Sequence, residues 1–254
     1  MKSKREKLST KDRDEFAAQE ACVKTREDYL VKGHNGLESA VIISDQLGNF
    51  WGGPKLMEWE TIKWILRTLN QHGINYAIIG GIAMGHHALP RATHDLDILV
   101  ASKDLPKVRK AFKKCYKGGT TVVQIYDVEG TRLDVLPANL KHRVAALNEA
   151  IDSALEEIPT KVVSVRDLLI LKLFAAAERA ELLKKRRDEA DVTELLNYGK
   201  KFLSKEDLEY IAKSVLAMGH SKEDIEKYRA VIQWLNETLE LLEMGDLRYP
   251  LNRI

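Results

Sequence analysis

The run Tyr76-Ala77-Ile78-Ile79-Gly80-Gly81, followed thirteen residues later by Asp95-Leu96-Asp97-Ile98, decides how this chain is to be read. The first run is short, apolar and stopped by two glycines, the pattern of a buried strand. The second is strand-like from Leu96 to Val100 and broken only by Asp97. Alternation along a strand puts Asp95 and Asp97 on one face, with Leu96 and Ile98 on the other. Neighbouring carboxylates repel, and burying even one of them unpaired is costly. A strand that carries two has a cation to hold, and a divalent metal is the natural one. Magnesium prefers hard carboxylate oxygens and keeps positions open for water and substrate phosphate. A third acid, Asp134, lies in Leu133-Asp134-Val135, again among strand-type residues, and three strand-borne acids suit a two-metal constellation. Upstream, Gly80 and Gly81 open the segment Ile82 to Leu89, read as a short helix halted at Pro90. Glycines let backbone amides approach a phosphate closely, and a helix N-terminus favours an anion. Alone, Gly-Gly reads as an ordinary turn and Asp-x-Asp as a strand end. In this order they describe a nucleoside triphosphate site.

Outward from this centre, Trp59, Ile62, Ile65, Leu66 and Leu69 fall at helical spacing and predict an amphipathic helix ending near Gln71. Leu105, Val108 and Phe112 predict another within Lys103 to Lys117. Thr121 to Tyr126 and Thr131 to Leu136 read as a hairpin closed by Glu129-Gly130. Helices are expected around Asn139 to Leu155, then a short strand at Val162-Val163. Beyond Arg166 the pattern is helical: Leu168 to Leu183, Asp188 to Tyr198, Ser204 to Met218 and Ser221 to Glu243. Ser204 with Asp207, and Ser221 with Asp224, read as N-caps with an acid in the first turn. Residues 1–35 are charge-dense, with a thin helical stripe through Phe16, Ala17, Ala18 and Cys22, and read as a loosely attached arm. Trp51-Gly52-Gly53-Pro54 is a turn cluster. The expected architecture is α/β (α+β): a charged, partly helical arm at 1–54, a small mixed sheet flanked by helices at 55–165, and a helical domain at 166–254.

Composition bounds the function. The 254 residues are 44% hydrophobic and 31% charged, which excludes wholesale disorder. Forty basic against 38 acidic residues argue against a protein whose main business is coating nucleic acid. Two cysteines, Cys22 and Cys115, cannot build a disulfide framework or a four-ligand zinc site. The absence of a signal-peptide pattern in Met1 to Arg13 and of a long apolar run predicts a cytoplasmic protein without a membrane span.

The series Ile78-Ile79-Gly80-Gly81, Asp95-Leu96-Asp97-Ile98, Leu133-Asp134-Val135 resembles the nucleotidyltransferase fold of the DNA polymerase β superfamily. Gly85-His86-His87-Ala88-Leu89-Pro90-Arg91-Ala92-Thr93-His94-Asp95 is similar to its AbiEii-like branch, which includes toxin-type nucleotidyltransferases of bacterial toxin–antitoxin systems. Asp167-Leu168-Leu169-Ile170-Leu171-Lys172-Leu173 and Arg187-Asp188-Glu189-Ala190-Asp191 look like that branch's lysine and Asp-x-x-Asp motifs, so the likeness runs from about residue 58 to 198. The resemblance implies that Asp95 and Asp97 hold two Mg²⁺ ions bridging the triphosphate of an NTP. It implies that Asp134 shares one ion and helps deprotonate the acceptor hydroxyl, and that the Gly80 and Gly81 amides receive phosphates. Lys172 would neutralise charge on the nucleotide, and Asp188 or Asp191 would orient that lysine or the acceptor. The implied acceptor is tRNA, a protein or a small molecule, and an antitoxin is an implied partner.

Other readings compete. Lys172 on an apolar helix ordinarily snorkels to solvent, and Arg187 with Asp191 ordinarily make a solvated ion pair. Arg91 could steer phosphate or simply lie in a loop. His86 and His87, about 100° apart on a helix, do not share a zinc ion, and His94 beside Asp95 could bond a phosphate or an acid. Lys107, Arg109, Lys110, Lys113, Lys114 and Lys117 form a basic run that is either a solvated face or a landing strip for RNA. The rival functions are therefore a catalytically silent scaffold of the same fold and an RNA-binding module using Lys107 to Lys117.

Overall fold

A computed structural model of the chain describes residues 35–50, 57–88 and 93–251. Its centre is one mixed sheet of seven strands: β1 (Tyr76–Ile78), β2 (Asp95–Ala101), β3 (Tyr116–Gly119), β4 (Gln124–Val128), β5 (Thr131–Ala138), β6 (Ile151–Leu155) and β7 (Ile158–Val162). Their spatial order is β3-β4-β5-β2-β1-β7-β6. β2 lies in the middle, antiparallel to β1 and parallel to β5. Leu96, Ile98, Leu99 and Val100 are wholly buried, as befits a strand covered on both faces. Each such side chain contributes about 1.5–3 kcal/mol of burial free energy. The two aspartates sit at the entry of this strand, where burial is only partial.

The helices are α1 (Gly36–Phe50), α2 (Trp59–Gln71), α3 (Gly80–His87), α4 (Leu105–Ala111), α5 (Lys141–Asn148), α6 (Val165–Glu178), α7 (Leu182–Gly199), α8 (Lys205–Leu216) and α9 (Lys222–Leu241). α3 packs on β2 and also meets α1, α6 and α7, so the glycine helix is gripped between the sheet and the helical half of the chain. At its far end His87 Nε2 donates to the Val163 carbonyl at 2.6 Å, tying α3 to the chain just beyond β7. Burial holds the His87 pKa below its usual value, against the opposing pull of that bond, which favours a neutral ring in this role.

The α/β expectation holds: a mixed sheet flanked by helices is followed by a run of helices. The hairpin turn is Glu129-Gly130, with φ of 51° and 88°, the double positive φ that a two-residue hairpin loop requires. Both serine caps form. Ser204 Oγ accepts from the Asp207 amide while Asp207 accepts from the Ser204 amide, and Ser221 Oγ accepts from the Asp224 amide.

Several elements depart from their expected form. Residues 151–155, expected to be helical, are β6, because Glu156 at a φ of 51° turns the chain back and β6 pairs antiparallel with β7. The helix expected across Lys103 to Lys117 is only α4, flanked by two single-turn 3₁₀ segments, and Tyr116–Gly119 is strand; pairing with β4 claims residues that local propensity leaves open. The glycines belong to the first turn of α3 rather than to the end of β1. Within the region expected as an arm, Gly36–Phe50 is a helix, and Leu37, Ala40, Val41 and Ile43 are buried. Asn35 and Glu38 hold it to the β6–β7 corner through the Ala154 carbonyl and the Glu156 amide. The stripe at Phe16 to Cys22, the Trp51 turn and Arg91 lie outside the described residues. No described helix is long and apolar enough to cross a membrane.

Candidate active site

The parallel register of β2 and β5 creates the site. It places Asp95 opposite Arg132 and Asp97 opposite Asp134. Because side chains alternate, these four share one face as a two-by-two array of three carboxylates and one guanidinium. Ligand oxygens of Asp95, Asp97 and Asp134 all lie within 4.8 Å of one another. Among the described residues no other group of three His, Cys, Asp or Glu side chains is placed to hold a metal. Asp95 and Asp97 are partly exposed, and Asp134 is buried to 8% exposure.

Clustered carboxylates need a cation, and here the chain supplies one. Arg132 Nε and Nη2 donate to the two oxygens of Asp134 at 2.7 and 2.8 Å, the bidentate fork of guanidinium on carboxylate. That bond, with the charges of Asp95 and Asp97, raises the Arg132 pKa further. The cluster fits a divalent ion through its converging hard oxygen donors, and Arg132 would compete with such an ion for Asp134. Thr93 also belongs to the site. Its buried hydroxyl donates to Asp95 Oδ1 at 2.9 Å and holds that carboxylate. Neither Arg132 nor Thr93 is singled out by the motif reading, although each stands two residues before an acid, where a period of two predicts a shared face.

Both glycines are required by close approach. Gly80 has φ of +65°, and a Cβ there would stand 1.9 Å from Asp97 Oδ2. On Gly81 it would stand 2.6 Å from Thr93 Oγ1. The Ile79 amide donates to the Asp97 carbonyl at 3.0 Å, which locks the start of α3 beside the acids. First-turn amides have no partner within their own helix, so this end presents donors next to the carboxylates. Gly80→Ala is therefore expected to unfold at lower temperature and to lose nucleotide binding. The left-handed backbone alone costs about 1–2 kcal/mol for an L side chain, before the Asp97 carboxylate is displaced. Thermal melting and calorimetric titration on the same variant check both effects.

Arg132→Gln should raise metal affinity measured without nucleotide. It removes a competing cation that is half exposed, so the gain is about 1 kcal/mol, roughly fivefold. Mn²⁺ titration followed by electron paramagnetic resonance reads this directly, and an unchanged or weaker affinity would show that Arg132 does not compete with the ion.

The remaining sequence-derived residues form a second cluster. Lys172 Nζ, on α6, lies 3.1 Å from Asp188 Oδ1 and 2.6 Å from Asp191 Oδ2, both on α7. Arg179 Nε also bonds Asp188. The Lys172 side chain is 12% exposed, so it does not snorkel; it turns inward to two carboxylates of 4% and 3% exposure. α6 and α7 both pack against α3, which connects this cluster to the glycine helix through one packed layer.

The fold and site together define an α/β protein with a carboxylate triad facing the start of a glycine helix. The chain matches no family model and no curated protein. Solved structures that resemble it include the following three. An antigenic nucleotidyltransferase-like protein from Paracoccidioides brasiliensis is 17% identical, with 73% of this chain and 92% of that one covered and a TM-score of 0.49. ANT(2'')-Ia in complex with adenylyl-2''-tobramycin is 13% identical over 69% of this chain and 97% of that one, TM-score 0.41. The CdnE cyclic dinucleotide synthase of Elizabethkingia meningoseptica with GTP and Apcpp is 14% identical over 83% and 92%, TM-score 0.29.

Proposed function

We propose that this chain is a Mg²⁺-dependent nucleotidyltransferase that moves a nucleoside monophosphate from an NTP to an acceptor hydroxyl. The observation that carries the reading is the triad of Asp95, Asp97 and Asp134 set against the first turn of α3. Such an arrangement pairs metal-binding oxygens with amide donors, and a triphosphate–metal complex needs both. Asp95, Asp97 and Asp134 would hold the metal, which when bound supplies charge neutralisation on the triphosphate and acidifies the acceptor hydroxyl.

The chain's own groups do the rest. Amides at Gly80 and Gly81 bind phosphate oxygens, and Thr93 keeps Asp95 aimed at the site. Arg132, half exposed beside Asp134, offers its guanidinium to the incoming phosphates. In the transfer, the acceptor oxygen bonds to the α-phosphorus and the bridging α–β P–O bond breaks. Its electron pair leaves with pyrophosphate, and the hydroxyl proton passes to a carboxylate of the triad. Little covalent help is needed, so positioning and electrostatics supply most of the rate. Lys172, oriented by Asp188 and Asp191, contributes positive charge towards the nucleotide from the α6 side of α3. The motif likeness favours a toxin-type enzyme with tRNA or protein as acceptor, acting in the cytoplasm and held in check by an antitoxin, over one that modifies a small molecule.

A silent scaffold is favoured by one observation, the Arg132 guanidinium within the acid cluster. Calorimetric titration of each NTP with and without Mg²⁺ separates the two. Magnesium-dependent binding supports the enzyme and names its base. No binding of any NTP at millimolar concentration supports the scaffold.

A further inference from the structure

On the face of the sheet opposite the acids, β4 turns Gln124 and Tyr126 towards α4. Their cross-strand partners, Val135 and Leu133, flank Asp134 along β5. Here Arg109, Lys113, Tyr116 and Tyr126 line a cavity of about 330 Å³. Its floor is aromatic and fixed: Tyr126 is wholly buried, edge-on to Phe112 at 6.0 Å and to Tyr116 at 5.4 Å. Gln124 Oε1 accepts from both the Tyr126 hydroxyl at 2.8 Å and Arg109 Nε at 3.3 Å, which sets the guanidinium at the rim. Tyr116 is 52% exposed, so much of its ring is open to a ligand.

The charge is equally one-sided. At the ends of the basic run Lys107 pairs with Asp104 at 2.7 Å and Lys117 with Asp127 at 3.5 Å. Between them, among the described residues, no carboxylate pairs with Arg109, Lys110, Lys113 or Lys114. A solvated face needs no cavity and no open aromatic ring. This one combines two cations that no described carboxylate neutralises with an exposed tyrosine over a rigid floor, the two chemistries that a phosphate and a flat base require together.

We propose that this cavity binds a nucleotide unit, its phosphate between Arg109 and Lys113 and its base against Tyr116. Position favours a unit within a single RNA strand over a free nucleotide. Strands lie about 4.8 Å apart and a layer is about 10 Å deep, so the path from Asp134 over β4 to β3 and around the edge to the other face is roughly 20 Å, a few nucleotides of chain. The site then holds an RNA acceptor while its terminal or internal hydroxyl reaches the triad. That assignment of the acceptor rests on the transferase reading; the binding itself does not.

The test uses the full chain with a labelled single-stranded RNA of about twelve nucleotides, within the usual span of such sites. Anisotropy is measured across a salt series, and AMP and UMP are titrated separately without Mg²⁺. Wild type should bind the RNA, and Arg109→Gln/Lys113→Gln should weaken it at least tenfold. The same pair should lower the slope of log affinity against log salt by about 1.4, two phosphate contacts at about 0.7 each. Tyr116→Ala should weaken binding at least fivefold with the slope unchanged, because stacking releases no counterions. These three side chains are exposed, so matching melting curves certify the fold. Mononucleotide binding with the same variant pattern, without RNA binding, would assign the site to a free nucleotide. Absence of both, or RNA binding that all three substitutions leave unchanged, would overturn the proposal. Asp97→Asn keeps the RNA if the two sites are distinct, so loss of NTP binding and loss of RNA binding report on different readings.

Discussion

Asp97→Asn is expected to abolish magnesium-dependent NTP binding while leaving the fold intact. Asp97 lies opposite Asp134 in the array and in contact with Gly80. The carboxamide keeps the shape, so the close packing against Gly80 survives and the melting temperature should not fall. What disappears is a hard anionic ligand. Coordination of this kind stabilises charge on a phosphoryl oxygen by several kcal/mol, and each 1.4 kcal/mol is tenfold, so affinity and transfer should each fall by at least about a hundredfold. Calorimetry with and without Mg²⁺ measures the first and pyrophosphate release the second. A variant that binds Mg²⁺–NTP as the wild type does would remove the triad from consideration as the metal site.

The other large effect is on stability. Lys172→Met withdraws the cation held between Asp188 and Asp191, whose side chains are almost wholly buried. Removing one partner from a buried ion cluster typically costs about 3–5 kcal/mol, because the remaining charges stay desolvated. Arg179, still on Asp188, limits the loss to the lower part of that range. For a chain of this size about 3 kcal/mol lowers the melting temperature by roughly 6–12 °C. Neutralising the buried part of the cluster, Lys172→Met with Asp188→Asn and Asp191→Asn, should recover much of the loss, since the one charge that loses its partner, Arg179, is 42% exposed. Nucleotide affinity measured well below the transition separates the two roles of Lys172. A single variant that melts early yet binds NTP normally is explained by structure alone. One that also binds weakly places the lysine on the nucleotide's side of α3.

Much of the fold is legible in the sequence alone. The apolar run at Tyr76, the alternating Asp95-Leu96-Asp97, the Glu129-Gly130 turn and the serine caps are local patterns with one good solution each. Their periodicities of 2 and 3.6 residues do not depend on the rest of the chain. The arm at Gly36 and the β6 strand were not legible in this way. The Gly36 helix takes its character from partners more than a hundred residues away, Ala154 and Glu156 for Asn35 and Glu38, while β6 takes its own from the neighbouring β7, which joins the sheet through β1.

The same division runs through the site. By itself the sequence determined that two aspartates share a face, that a third sits on another strand, and that two glycines stand where a backbone must approach something closely. Only the tertiary structure decided the register that sets Asp134 beside Asp97 and Arg132 beside Asp95. A slip of one residue would have turned Asp134 into the opposite face of the sheet. It also decided that Gly80 meets Asp97 itself, that Thr93 holds Asp95, and that Lys172 faces inward. Strand alternation is a property of the local backbone, but strand register and helix docking are chosen by burial summed over the whole core, and no short stretch of sequence carries that sum.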